Sequence, residues 1–245
     1  MNADTQMNLA NFILALADDE LILAHRHSEW TGHGPILEED IAFTNIALDE
    51  LGHARTWYGL YQQLTGEPPD TLAFFRDAAD FRNGQLVELP NGDWAFSMLR
   101  QYLFDAYEQV LLAALTESSY QPLAHTAVKL RMEEVYHLRH TSSWVRRLGL
   151  GTPESHQRMQ TALDVLWSVA QQLFVPVAQA DGLPSMDELH GAWQTAVMQH
   201  LIASGLTIPT HVPPLTAPRS AHTAALPTLL QEMQSVARLD PTAVW

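Results

Sequence analysis

Cysteine is absent from the 245 residues. That excludes disulfides, thiolate zinc sites, iron–sulfur clusters and cysteine nucleophiles, and it fits a reducing compartment. Basic residues are scarce. Thirteen Lys and Arg stand against 28 Asp and Glu, a formal net charge of −15. So acidic a chain repels phosphate backbones, which argues against nucleic acid as a partner. Lys129 is the single lysine, so no polybasic patch exists for a membrane surface. No apolar run approaches the ~18 residues of a membrane span. The opening residues, MNADTQMNLANFILALADDE, mix acids with apolar residues and lack a basic leader, so no signal peptide is expected. Alternating β-branched runs are rare as well, whereas Ala, Leu, Gln, Glu and Met are abundant. The expectation is an all-α, cytoplasmic, globular protein.

Periodicity and punctuation divide the chain into helices. The first reads from about Asn8 to Glu29, with Phe12, Leu16, Glu20, Leu23 and His27 on one stripe. Thr31 to Pro35 breaks it. The second runs from about Leu37 to Leu64, with Glu38, Glu39 and Asp40 at the positive end of its dipole. A connection of roughly 25 residues follows, with turn signals at Asn83-Gly84 and Pro90-Asn91-Gly92. The third helix starts at Asp93 as N-cap and reaches about Ser118. The fourth spans about Pro122 to Leu148, the fifth Pro153 to Phe174, the sixth Ser185 to Ser204 and a last one Leu226 to Arg238. This describes a single domain over 1–245. Its four-helix core bundle occupies about 8–148, with a long crossover between helices two and three. Additional C-terminal helices and an extended tail occupy about 153–245.

Two motifs carry chemistry. Glu50-x-x-His53 lies in the second helix and Glu134-x-x-His137 in the fourth. Residues three apart share a helix face, so a carboxylate and an imidazole so spaced can share a metal ion. Chance alone supplies about 0.7 copies of Glu-x-x-His in such a chain, so the motif count is weak. The context is stronger. Glu20 precedes Glu50 by 30 residues and Glu108 precedes Glu134 by 26, each on the apolar face of the preceding helix. Each half therefore reads as a hairpin of Glu followed by Glu-x-x-His. At ~1.5 Å per residue, the arms place these acids at similar heights. Glu20, Glu50, His53, Glu108, Glu134 and His137 are the expected ligands of a di-iron or di-manganese site in the bundle. Asp49 and Glu133 are placed to hydrogen-bond a ligand histidine of the facing helix.

Bland readings account for other residues. His25, His27 and His33 read as a surface cluster, with His140 one turn beyond His137. Tyr102, Tyr107 and Tyr136 read as core aromatics. Trp57, Trp94, Trp144, Trp167 and Trp193 read as packing or interface anchors. Arg131, Arg139, Arg146 and Arg147 read as surface or interface charges.

Four segments carry a resemblance. SEWTGHGPILEEDIAFTNIALDELGHAR resembles the first hairpin of the PaaC-type subunit of the bacterial phenylacetyl-CoA epoxygenase. DTLAFFRDAADFRNGQLVELPNGDWA is similar to its connection, YHLRHTSSWVRRLG to its fourth helix, and LLQEMQSVARLDPTAVW to its C-terminal end. The resemblance implies a ferritin-like fold and membership of a multicomponent oxygenase of phenylacetate degradation. That enzyme converts the ring of phenylacetyl-CoA to a 1,2-epoxide with dioxygen and with electrons from a reductase component. Its catalytic di-iron site is carried by a related A-type subunit, with the C-type subunit as structural partner. Here all six ligand-like positions are filled, which sets this chain apart from a purely structural member of the complex.

Two functions compete with that one. An independent di-iron or di-manganese oxidoreductase would need a separate electron donor, since no cysteine is present for an internal cluster. A storage bundle would not need the residues beyond the fourth helix. If the chain is the oxygenase component, it is expected to form a homodimer when expressed alone, and the extended IPTHVPPLTAP segment is a candidate to wrap a neighbour.

Overall fold

The structure is a computed structural model that describes residues 2–178 and 182–243. Val244 and Trp245, which end the resembling C-terminal segment, lie outside them. Among the described residues there is no strand. The helices are α1 (Ala3–Ser28), α2 (Leu37–Thr65), α3 (Pro69–Phe74), α4 (Gln85–Glu88), α5 (Trp94–Leu115), α6 (Gln121–Gly149), α7 (Pro153–Ala170), α8 (Met186–Ala203), α9 (Ala225–Met233) and α10 (Ser235–Leu239). The described residues form two compact units, one of residues 2–90, 177–178 and 218–243, the other of residues 91–176 and 182–217.

The first unit is built on the α1/α2 hairpin. α1 starts five residues earlier than expected because Asn2 caps it, its side chain accepting from Thr5 N at 2.7 Å. The predicted stripe is too narrow. Nearly every side of α1 is buried from Leu9 to His27, including Ile13, Ala17 and Ile22. α2 stops at Gly66, whose φ of 86° is the left-handed conformation and whose N–H bonds Gln62 O at 2.7 Å. The connection after it is not open loop. It folds into α3, a 3-10 turn at Ala78–Asp80, and α4.

The C-terminal residues return to this unit and fasten the connection. Gln234 donates to Ala73 O at 3.1 Å and Arg76 O at 3.0 Å. Gln85 donates to Ala221 O at 2.8 Å, and Arg219 to Arg82 O at 2.9 Å. The last predicted helix is split at Gln234 into α9 and α10.

In the second unit, α5 begins where the sequence placed the third helix. Asp93 caps α5, accepting from Phe96 N at 3.0 Å. α5 is buried on most of its circumference and packs with α6, α7 and α8. Trp193 of α8 donates its indole N–H to Leu103 O at 3.1 Å. Gly149 ends α6 where a Cβ would sit 2.3 Å from Ser204 O, so no larger residue fits there. α7 tightens into a 3-10 turn at Gln171–Phe174 in place of its expected last turn. The IPTHVPPLTAP segment, expected to wrap a neighbour, lies along α7 of its own chain. Leu215 N donates to Ser168 O at 3.0 Å and Gln172 to Ala217 O at 3.1 Å.

His200 ties α8 to α6 by donating from Nε2 to Ser142 O at 3.0 Å. Burial first, with Arg146 adding to it, pushes its pKa below the usual 6.5, although the bond to Ser142 opposes this. His25 and His190 are lowered by burial too. A histidine depressed on folding binds fewer protons than it does unfolded. Stability is therefore fully present above about pH 6.5 and is lost as pH falls through the folded value. Thermal unfolding midpoints between pH 7.5 and 5 are expected to fall, and less steeply in His200→Gln, which keeps a donor. An equal slope in both proteins would contradict this.

Candidate metal centre

In the first unit, α1 supplies Glu20 and α2 supplies Glu50 and His53. All three are buried. His53 Nδ1 lies 3.6 Å from Glu20 Oε1 and 3.8 Å from Glu50 Oε2. One ligand atom from each lies within 4.8 Å of the others. The i, i+3 spacing brings Glu50 and His53 to one face, and the hairpin brings Glu20 to them.

The rotation of α1 is held by the two acids before Glu20. Asp18 accepts from Tyr58 Oη at 2.6 Å, from Arg82 N at 2.8 Å and from the guanidinium of Arg76. Asp19 accepts from Gly84 N at 2.7 Å and pairs with Arg219. Burial raises the Asp19 pKa, with Arg219 and the Gly84 N–H opposing the rise. The Tyr58 hydroxyl is pushed well above its usual value by burial and then by Asp18. Three consecutive acids are thus buried in one turn of α1, and the two that precede Glu20 hold Arg76 and Arg219.

In the second unit, α5 supplies Glu108 and α6 supplies Glu134 and His137, again all buried. His137 Nδ1 lies 2.8 Å from Glu134 Oε1. Asp105 belongs with them and was missed in the sequence. It is fully buried, accepts from Gln101 Nε2 at 2.5 Å and from Thr141 Oγ1 at 2.6 Å, and has an oxygen within 4.8 Å of a His137 ring nitrogen. A signal was available. Asp105 lies three residues before Glu108 and Thr141 four after His137, so each shares its neighbour's helix face.

Asp49 and Glu133 are exposed, about 100° around the helix from the buried Glu that each precedes. His27, read as part of a surface cluster, is fully buried with its ring 4.4 Å from Phe43. It follows the core face of α1, whereas His25 is half-buried and His33 exposed. Tyr136 is 71% exposed and so is not a core aromatic, unlike the buried Tyr102 and Tyr107. Trp57, Trp167 and Trp193 are buried packing residues, and Trp94 meets Trp144 edge to face at 5.9 Å.

The donor chemistry fits a metal. Each half offers carboxylate oxygens beside an imidazole nitrogen, with no sulfur, and this combination suits iron or manganese. A cation also compensates acids that would be costly to bury charged.

The phenylacetic acid catabolic protein family matches the chain over residues 1–245. The chain belongs to this family. It is 38% identical over 245 residues to the C-type subunit of the 1,2-phenylacetyl-CoA epoxidase of Escherichia coli (strain K12), covering 97% of this chain and 99% of that one. It is 26% identical over 161 residues to the A-type subunit of the same epoxidase, covering 62% of this chain and 52% of that one. Family membership accounts for the resemblance of the four segments and for an all-α fold. Among the described residues, no helix is long and apolar enough to cross a membrane.

Proposed function

We propose that this protein is the C-type subunit of a cytoplasmic phenylacetyl-CoA 1,2-epoxidase complex in aerobic phenylacetate degradation. In this reading it pairs with a homologous, catalytic A-type subunit. It also carries a di-metal site of its own. The observation that supports the first part is the length of the match. The C-type relative from E. coli is matched end to end, whereas the A-type relative is matched over about half its length. The second part rests on the two buried half-sets, each a Glu with a Glu-x-x-His.

The two units act in this reading as one ferritin-like domain over 1–245. Glu20, Glu50, His53, Glu108, Glu134 and His137 together hold two iron or manganese ions. Bound iron supplies coordination positions at which dioxygen is reduced. The chain's own residues bind the ions, keep water from them through the packed aliphatic core, and balance their charge. Electrons come from the reductase component, because a chain without cysteine has no cluster to relay them. Expressed alone, the protein self-associates as a homodimer. The complete ligand set also supports a second reading, an independent di-iron or di-manganese oxidoreductase.

Elemental analysis of untagged protein tests this, beside a Glu50→Ala/Glu134→Ala control. About two iron or manganese per chain, lost in the control, is the expected result. No metal in either protein would leave a purely structural role. Assaying phenylacetyl-CoA epoxidation separates the two readings. Turnover is expected only when reductase and the A-type subunit both are added. Turnover with the reductase but without the A-type subunit would favour the independent enzyme.

A further inference from the structure

The second helix of each hairpin exposes large apolar side chains at matching places. On α2, Leu48 lies two residues before Glu50 and Leu51 one after it, and they are 60% and 42% exposed. On α6, Met132 lies two residues before Glu134 and Val135 one after it, and they are 71% and 49% exposed. None of the described residues covers these side chains, although each helix buries its opposite side.

The two faces differ in charge and in shape. The first turn of α2 carries Glu38, Glu39 and Asp40. In a chain with only 13 basic residues, α6 carries five of them: Lys129, Arg131, Arg139, Arg146 and Arg147. Its exposed face is thus a basic patch on an acidic protein. Gly52 lies in the middle of α2 on the exposed side, and a Cβ there would meet nothing within 4 Å. Glycine is disfavoured inside a helix, and here the chain itself gives no steric reason for it. Tyr136, at the matching place on α6, projects instead of receding.

We propose that α2 of one copy docks antiparallel on α6 of a second copy of this chain, with Tyr136 seated over Gly52. The proposal rests on the homodimer reading above and names its surface. Glu38 to Asp40 lie 12 to 14 residues before Gly52, and Arg146 and Arg147 lie 10 and 11 after Tyr136. At ~1.5 Å per residue, the antiparallel arrangement brings acidic and basic ends to nearly the same height. A parallel one would set the acids against the N-terminal end of α6 and leave Arg146 and Arg147 unmatched. Apolar side chains at the centre with complementary charge towards the rim is the usual anatomy of a protein interface.

Sedimentation equilibrium tests the docking with two surface variants, Leu48→Glu on α2 and Tyr136→Glu on α6. Both sites are exposed, so both variants are expected to keep the wild-type circular dichroism. Each is expected to raise the dimer dissociation constant at least ~100-fold. Arg146→Glu/Arg147→Glu is expected to weaken the dimer about tenfold and to reduce its sensitivity to salt. Variants that dimerise like the wild type would overturn this surface while leaving the homodimer reading in place. Variants that stay dimeric but no longer bind the A-type subunit would overturn it too, and assign the face to hetero-pairing. A wild-type protein monomeric at ~100 μM, a concentration at which a specific interface is occupied, would overturn both the surface and the reading.

Discussion

Arg219→Ala is expected to cost about 3–5 kcal/mol of folding free energy, because it leaves Asp19 buried without its cation. For a chain of this length that is a fall of roughly 10 °C in thermal midpoint. Arg219 and Asp19 are both almost fully buried and lie 200 residues apart in the chain. Arg219 also donates to Arg82 O, so the same side chain fastens the connection after α2. The double variant Asp19→Asn/Arg219→Met removes both charges and is expected to be less destabilised than Arg219→Ala. Asp19 immediately precedes Glu20, so Arg219→Ala is also expected to lose bound metal faster to a chelator than the wild type does. Thermal unfolding and chelator release would check the two effects separately. A loss of stability below about 1 kcal/mol, the range of an exposed ion pair, would show that Asp19 does not depend on Arg219.

Trp193→Ala is expected to cost a similar amount, about 3–5 kcal/mol, by a different route. Trp193 is fully buried, stacks on Trp167 at 5.4 Å and touches Phe174 at 5.2 Å. Phe174 in turn meets Tyr107 edge to face at 5.2 Å, and Tyr107 adjoins Glu108. Truncating Trp193 opens a cavity and strips Leu103 O of its indole donor. Trp193→Phe keeps most of the packing and is expected to cost clearly less, with the lost hydrogen bond contributing about 1 kcal/mol. Chemical denaturation of the two variants measures the difference. Equal losses would mean that the hydrogen bond, and not the packing, holds α8 on α5.

The helices were legible because their signals are local. Asp93 before an apolar run, Pro122 and Pro153 in first turns, and Gly66 after Leu64 and Thr65 mark ends through backbone chemistry that neighbouring residues satisfy. Glu50 with His53, and Glu134 with His137, were legible for the same reason, since three residues along a helix is a spatial neighbour. The connection after α2 was not legible. It lacks the length for periodicity to register, and its short helices are held by side chains from elsewhere, among them Gln234 and Arg219.

The two Glu-x-x-His pairs and the all-α class needed only the sequence, because helix-face spacing and helix propensity are properties of a short stretch of chain. Burial needed the tertiary structure. The burial of Asp18 and Asp19 depends on Arg76 and Arg219, which arrive from distant segments, and that of Asp105 on Thr141 of the next helix. His27 and Tyr136 each lie on a helix with apolar neighbours, yet one is buried and the other exposed. The face that a helix turns inward is decided by what packs against it, and that partner is far away in the chain.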